Sequence, residues 1–247
     1  MASFTDVTAT DPESGVFTQN AAVIPGNTGQ FFTFAWIATA RPAITDISSA
    51  ATGSKIDVKT RTSQEIFARG LRENIRISTN DGLGWRWRRI CFNLKGDYIT
   101  GGNIDPTTSD YFRLTSSGMS RLITEIPDNR IHQLVFRGQR NEDWIDVFSA
   151  QTDKRKCSIL YDKTRIIQSN NGDGATKHYK LWHPIGKNIM YDDEEQGTTY
   201  WTSPLSAEGR RGWGDFYVVD FIECNYAGTG TPQMSFLPNA TLYWHEK

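Results

Sequence analysis

Lysine, arginine and tryptophan side chains are concentrated between residues 55 and 95, and these are the residue types that bind the phosphates and bases of nucleic acid. The stretch holds ten Lys or Arg residues and four Asp or Glu residues, so its formal charge is +6, whereas the whole chain of 247 residues carries −1. A surface with such a positive balance attracts polyanions. The composition therefore predicts a nucleic-acid contact in this stretch.

The spacing of these residues matters because side chains on a β-strand point alternately to opposite faces. In the segment WRWRRICF, one face carries Trp85, Trp87 and Arg89, and the other carries Arg86 and Arg88. The arginines either contact phosphate or pair with nearby carboxylates, as surface arginines commonly do. The tryptophans either stack on unpaired bases or pack in the core.

We predict phosphate contacts from six cations of this stretch and base stacking from its two tryptophans. The six cations are Lys55, Lys59, Arg61, Arg86, Arg88 and Arg89. The candidate stacking residues are Trp85 and Trp87. Binding through phosphate contacts releases counterions, so we expect it to weaken with salt and to show little sequence preference.

Two further basic clusters lie outside this stretch. Lys154, Arg155 and Lys156 precede a strand-like run, and they either face nucleic acid, line a subunit boundary, act in nuclear import or form a solvated turn. Arg210 and Arg211 lie in a glycine-containing loop and are candidates for contacts between subunits.

Sequence signatures of catalysis and of metal binding are absent. The chain has no GxSxG, phosphate-loop or HExxH motif, and it lacks the cupin pattern of paired histidines. The acidic run at residues 192–195 lacks the glycine-punctuated spacing of a calcium loop. Cys91, Cys157 and Cys224 are far apart within apolar runs, which predicts buried free thiols. We therefore expect no enzymatic activity, no metal and no cofactor.

Strands must position these residues, and the chain has many strand-like runs separated by turn signals. The polar, Gly- and Pro-containing composition of residues 1–30 predicts an extended arm. The length of the chain predicts that residues 31–247 form one domain. Asn80, Asp81 and Gly82 predict a hairpin turn. The predicted strands cover residues 31–39, 62–79, 85–94, 131–138, 143–149, 157–168, 177–183, 215–225 and 234–244. Over residues 62–79 the apolar residues fit a helical spacing as well as a strand spacing, and we choose the strand because Gly70 disfavours a helix interior. This pattern, without a long helix, predicts an all-β antiparallel jelly-roll sandwich of about eight strands with long loops.

Several of these segments resemble the coat proteins of genomoviruses, small viruses with circular single-stranded DNA. The similar segments are RTSQEIFARGLRENIRI (61–77), NDGLGW (80–85), RWRRICF (86–92) and residues 177–197, 214–225 and 242–247, in the same order. The resemblance implies a jelly-roll subunit that assembles with its own copies into an icosahedral shell of the smallest class around single-stranded DNA. It also implies location in the virion and, during assembly, in the host nucleus, with no membrane partner.

One feature departs from that family, whose coat proteins begin with an arginine-rich arm, because residues 1–40 here contain no Lys or Arg. We therefore expect a basic extension before Met1 in the native gene product. A second function class fits the same sandwich, since exposed Trp and Tyr side chains of a carbohydrate-binding jelly roll stack on sugar rings. A glycoside hydrolase would need two carboxylates in a cleft.

Overall fold

A computed structural model gives the fold and describes residues 2–11, 16–44, 54, 59–102, 108–115, 118–126, 129–197, 199–225 and 230–246. These residues form fourteen strands and one helix, α1 (Asn129–Val135). The strands are β1 (Ala2–Asp11), β2 (Val16–Thr18), β3 (Ala22–Pro25), β4 (Phe32–Ile37), β5 (Glu65–Thr79), β6 (Trp85–Leu94), β7 (Arg113–Thr115), β8 (Gly118–Ile123), β9 (Ser158–Ile167), β10 (Thr176–Met190), β11 (Glu194–Gln196), β12 (Thr199–Trp201), β13 (Asp215–Cys224) and β14 (Gln233–Glu246). Within the described residues no helix is long and apolar enough to span a membrane.

Eight of the strands form two antiparallel sheets that pack face to face as a sandwich. The β5 sheet has the order β3-β14-β5-β10, and the β6 sheet has the order β4-β13-β6-β9. The chain passes between these sheets in the order of a jelly roll, so the predicted fold is confirmed. The segment predicted as an arm supplies β1, β2 and β3, and β1 extends the β5 sheet by pairing antiparallel with β14 and parallel with β8.

The core lies between the two sheets because alternate side chains of each strand point inward. In β5 the inward positions include Leu71, Ile75 and Ile77, which are almost fully buried. Strand β13 is buried on both faces. The reason is that residues 129–153, in the connection between β6 and β9, fold over the outer side of the β6 sheet, where Phe136 lies 5.5 Å from Phe221 between ring centroids.

Most predicted strands are confirmed within a few residues, among them β5, β6, β9, β13 and β14. The strand predicted at residues 131–138 is wrong, because most of that segment belongs to helix α1, whose apolar side chains are buried. The strand predicted at residues 143–149 is also wrong. That segment forms turns, and Asp146 Oδ1 accepts a hydrogen bond from the amide of Phe148 at 3.0 Å.

The turn at residues 80–84 joins the two sheets, so the predicted hairpin is wrong. Strand β5 pairs with β10 and β14, whereas β6 pairs with β13 and β9. The side chain of Asn80 holds the turn against the start of β14, because its Oδ1 accepts a hydrogen bond from the Gln233 amide at 2.7 Å. The two basic strands of the sequence therefore lie in different layers of the sandwich.

Candidate nucleic-acid interface

The two tryptophans predicted to stack on bases lie in the core. Trp85 and Trp87 are fully buried, because the face of β6 that carries them points toward the β5 sheet. Trp87 Nε1 donates a hydrogen bond to Asp220 Oδ1 at 2.7 Å, which satisfies this buried donor. Base stacking by these two residues is therefore a wrong prediction, and the alternative, packing in the core, is confirmed.

Arg61 and Arg89 are also fully buried, and carboxylates neutralise both. Arg89 Nε and Nη2 donate to the two oxygens of Asp220 at 2.7 and 2.6 Å, and Arg89 Nη1 donates to Glu73. Arg61 donates to both oxygens of Asp193 at 2.5 and 2.6 Å. Because neither guanidinium reaches the surface, the predicted phosphate contacts of both residues are wrong.

Arg86 and Arg88 lie on the outer face of β6, where the chain between β6 and β9 covers Arg88 and borders Arg86. Arg88 is buried and donates to the two oxygens of Asp162 at 2.8 and 2.7 Å. Arg86 keeps 35% of its side-chain surface exposed and pairs with Asp146 at 2.8 Å and with Glu223. The predicted phosphate contact is wrong for Arg88, and two carboxylates already balance the charge of Arg86.

The remaining predicted cations are exposed or lie outside the described residues. Lys55 lies outside them, and Lys59 is exposed shortly before β5. Lys154, Arg155 and Lys156 are exposed in the turn before β9.

The two peripheral basic clusters stay candidates for the roles assigned to them. Arg155 forms an ion pair with Asp153 at 3.1 Å, and hydrogen bonds from Arg155 lower the pKa of Asp153 to about 2. Arg210 and Arg211 are exposed in the loop before β13. Their part in a subunit interface or in nuclear import stays a prediction.

The structure brings together a different set of cations on the outer face of the β5 sheet. Arg72 and Arg76 of β5 and Lys180 of β10 are exposed there. His178 lies directly opposite Arg76 on the neighbouring strand, and Lys180 lies directly opposite Asn74. We call the outer surface of β10, β5 and β14 in this region the basic face, and its residues include Gly70, Arg72, Asn74, Arg76, His178, Lys180, Trp182, Asn239 and Tyr243.

The strand segments that form the basic face carry no outward carboxylate. They contain one acidic residue, Glu73, and its side chain points into the core. Among the described residues, Arg72, Arg76 and Lys180 form no ion pair. Their charge is therefore available to an external anion, unlike the charge of the arginines on β6.

A period of two in β5 places these cations outside. The odd-numbered residues from 71 to 77 are buried, and Arg72, Asn74 and Arg76 between them are exposed. A register shift between β5 and β14 ends this alternation near Arg69. Arg72 and Arg76 belong to the positive stretch of the sequence, but the predicted phosphate contacts were assigned to other cations. The alternation over residues 71–77 is the signal that identifies them.

A shallow groove of about 440 Å³ lies over the basic face. Arg72, Arg76 and Lys180 line it, together with Asn74 and Asn239, which are direct cross-strand partners. Outward residues on a strand follow one another at about 6.6 Å, so Arg72 and Arg76 are separated by about 13 Å along β5. Cations and amide groups in rows along the strands suit an extended anionic polymer.

An aromatic pair lies at one end of the basic face. The rings of Trp182 and Tyr243 are 5.8 Å apart between centroids, with 66° between their planes. Trp182 is 51% exposed and is the cross-strand partner of Arg72. A Cβ atom at Gly70 would come within 2.5 Å of Trp182 Cζ2. The absence of a side chain at Gly70 therefore makes room for the indole ring.

A buried network of charged groups lies behind the basic face, on the inner side of β5. Glu73 accepts hydrogen bonds from Arg89 and, at 3.2 Å, from Arg121, and His183 Nε2 lies 3.1 Å from the Glu73 carboxylate. Burial alone would raise the pKa of Glu73. The charges of its two arginine partners and the hydrogen bond with His183 outweigh burial and hold that pKa well below its ordinary value.

Neither a metal site nor a disulfide is found in the part of the chain that the structure describes. No cluster of His, Cys, Asp and Glu side chains there fits a metal ion. Cys91, Cys157 and Cys224 are buried free thiols, as predicted. No protein-family model matches the chain, and no curated protein matches it. The resemblance to genomovirus coat proteins therefore stays a prediction from the sequence.

Proposed function

We propose that this protein is the coat protein of a small virus with circular single-stranded DNA. Copies of the subunit associate into a closed icosahedral shell of the smallest class, and the basic face binds the enclosed genome. The protein is then located in the virion and, during assembly, in the host nucleus. Three observations support this proposal: the sequence resemblance, the jelly-roll fold and the exposed positive charge of the β5 sheet.

The observation that carries the proposal is the exposed, carboxylate-free charge of the basic face. Arg72, Arg76 and Lys180 lie on neighbouring strands with no ion pair among the described residues. Residues 129–153 cover the outer side of the other sheet, so the two flat sides of the sandwich differ. The basic face fits a polyanion by charge complementarity.

Binding of nucleic acid at the basic face is mainly electrostatic. Lys and Arg side chains that contact phosphates release condensed counterions, and this release favours binding without reading the base sequence. A coat protein must accept every sequence along its genome, and a contact of this kind meets that requirement. The cross-strand amides of Asn74 and Asn239 add hydrogen-bonding groups between the cations.

The test of this proposal reverses two charges on the basic face. In the double variant Arg72→Glu/Arg76→Glu, we expect weaker retention of a single-stranded oligonucleotide because two phosphate contacts are lost. The slope of log affinity against log salt should become shallower by about 1.4, since each contact on a single strand contributes about 0.7. Fluorescence anisotropy across a salt titration measures both quantities.

The matched control is Arg210→Glu/Arg211→Glu, which reverses two exposed charges in the loop before β13. We expect this variant to bind the oligonucleotide within about twofold of the wild type. Equal affinity and equal salt slope for the wild type and the Arg72→Glu/Arg76→Glu variant would contradict the proposed role of the basic face.

A carbohydrate-binding module is the second candidate, because Trp182 exposes half of its surface beside a groove that contains amide groups. Such a module binds oligosaccharides whether or not Arg72 and Arg76 keep their charge, and it forms no closed particles. Glycan binding that persists in the charge-reversal variant, with no particles in negative-stain electron micrographs, would favour this candidate.

A further inference from the structure

We infer that Trp182 and Tyr243 form a base-stacking site at one end of the basic face. The inference rests on the proposed function and specifies its ligand. The aromatic pair binds the flat face of an unpaired base, and the neighbouring cations bind the phosphates. The ligand class is therefore a single-stranded polynucleotide, because the bases of a duplex are stacked on one another and paired.

Exposure of the indole ring is the first observation behind this inference. Trp182 keeps 51% of its surface accessible on a face whose other residues are mainly charged or polar. Tyr243 supports the ring from the adjacent side, at 5.8 Å between centroids and with the planes at 66°. A large aromatic side chain that stays half exposed in a polar surround retains a face for a ligand.

Support beneath the ring is the second observation. A side chain at Gly70 would collide with Trp182, since a Cβ there would lie 2.5 Å from Cζ2 and 2.7 Å from Cη2. The same Cβ would also lie 2.7 Å from the carbonyl oxygen of His183. The indole thus packs against the backbone of β5 at Gly70, in space that any other residue there would fill.

The arrangement of charge around the ring is the third observation. Arg72 is the direct cross-strand partner of Trp182, and Lys180 is the next outward residue on the same strand, about 6.6 Å away. A base on Trp182 therefore has cations on two sides within one nucleotide's reach. This combination of a stacking platform and flanking cations is how proteins bind single strands without sequence preference.

The experiment compares two oligonucleotides of equal length and charge, oligo-dT and an abasic strand, on the wild type and on Trp182→Ala. We expect Trp182→Ala to bind oligo-dT about tenfold more weakly, which is within the range measured for loss of one base stack. Binding of the abasic strand should stay within twofold, since the cations are intact. Trp182→Phe should retain most of the affinity for oligo-dT.

A matched control is Trp201→Ala, which removes another exposed indole, 41% accessible, that lies on β12 away from the basic face. We expect it to bind both strands as the wild type does. If Trp182→Ala fails to fold, the wild-type ratio of oligo-dT to abasic affinity and the affinities of Trp182→Phe provide the test. A wild-type ratio of one would overturn the inference.

The outcomes separate this inference from the proposed function. If charge reversal at Arg72 and Arg76 weakens both strands while Trp182→Ala changes neither, the basic face binds DNA and the stacking site is wrong. If Trp182→Ala weakens both strands equally, the residue has a structural role and the stacking site is again wrong. If charge reversal changes nothing, the basic face does not bind DNA and the DNA-binding part of the proposed function fails. If Trp182→Ala instead abolishes binding of an oligosaccharide and neither strand binds, both fail.

Discussion

Arginines from one short stretch of this chain have opposite environments. Arg89 lies in the core between the carboxylates of Asp220 and Glu73, whereas Arg72 lies on the surface with no ion pair among the described residues. Burying a guanidinium costs its hydration, and a well-placed carboxylate offsets that cost. Position relative to a carboxylate, and not the residue type, therefore decides whether an arginine serves stability or is available for binding.

Glu73 is the residue on which the buried network depends, so its removal should cost stability. The variant Glu73→Gln leaves Arg89 and Arg121 with less negative charge, and breaking such a buried pair costs about 3 kcal/mol in the free energy of unfolding. Urea denaturation at neutral pH measures the loss. Glu208→Gln, which changes an exposed glutamate, should alter stability by less than about 0.5 kcal/mol.

The difference in unfolding free energy between the wild type and the Glu73→Gln variant should depend on pH. Because the folded pKa of Glu73 lies below its ordinary value of 4.5, the stability from its charged form is complete above pH 4.5 and is lost as pH falls through the folded pKa. The Glu73→Gln variant has no carboxylate at this position, so it has no such contribution to lose. The difference in unfolding free energy between wild type and Glu73→Gln should therefore shrink from pH 6 toward pH 3. A difference that grows toward acid would contradict this account.

At the scale of elements, the long connection between β6 and β9 is attached to the sheet that it covers. Arg88 Nη1 donates to the carbonyl oxygens of Val147 at 2.6 Å and Ala150 at 2.9 Å. The same guanidinium pairs with Asp162 of β9. One side chain of β6 thus holds both the covering segment and the neighbouring strand.

We expect Arg88→Met to loosen that segment. Methionine keeps much of the apolar contact but removes every donor, so two carbonyls and one carboxylate lose their partner. Amide hydrogen exchange across residues 143–153 should accelerate about tenfold or more, while exchange in β5 stays unchanged. Arg210→Met serves as the control with an exposed arginine. Unchanged exchange in residues 143–153 would show that Arg88 does not hold the segment.

At the scale of the whole molecule, the two flat sides of the sandwich differ. The β6 sheet is covered by its own chain, and the β5 sheet presents the basic face to solvent. In the proposed shell this difference gives the subunit an inner side, toward the genome, and leaves the other surfaces for contacts with neighbouring copies. Closed symmetric assemblies use the same contact many times, so each contact can be modest.

We expect the purified protein to form closed particles of uniform size that contain nucleic acid. The Arg72→Glu/Arg76→Glu variant should still form particles, because its changes lie on the genome side, but with less nucleic acid. Negative-stain microscopy and the ratio of absorbance at 260 and 280 nm measure the two properties. A wild type that stays a single subunit at every concentration would contradict assembly. Equal nucleic-acid content in both proteins would contradict packaging by the basic face.

Local sequence patterns were sufficient to predict most of the strands and the fold class. Continuous apolar character over β13 predicted a buried strand. Over β5 the apolar residues fitted a helical spacing and a strand spacing, and the strand was favoured by Gly70 and by the family resemblance. Turn signals between many such runs then favoured a jelly-roll sandwich. Where local signals were weak the prediction was wrong, as at residues 131–138, whose short helix is favoured by burial of its apolar side chains.

Which cations are available for binding depends on the three-dimensional packing of the chain. Three of the carboxylates that pair with arginines of the positive stretch are remote in sequence: Asp193 lies 132 residues from Arg61, Glu223 lies 137 residues from Arg86, and Asp220 lies 131 residues from Arg89. A charge sum over a short stretch does not include these remote carboxylates. The alternation of side chains along a strand shows on which face a residue lies, but it does not show which groups pack against that face. The positive stretch does contribute exposed cations, Arg72 and Arg76, but these are not the cations that were predicted from the sequence. Coulombic attraction depends on distance in space, and the fold alone sets that distance.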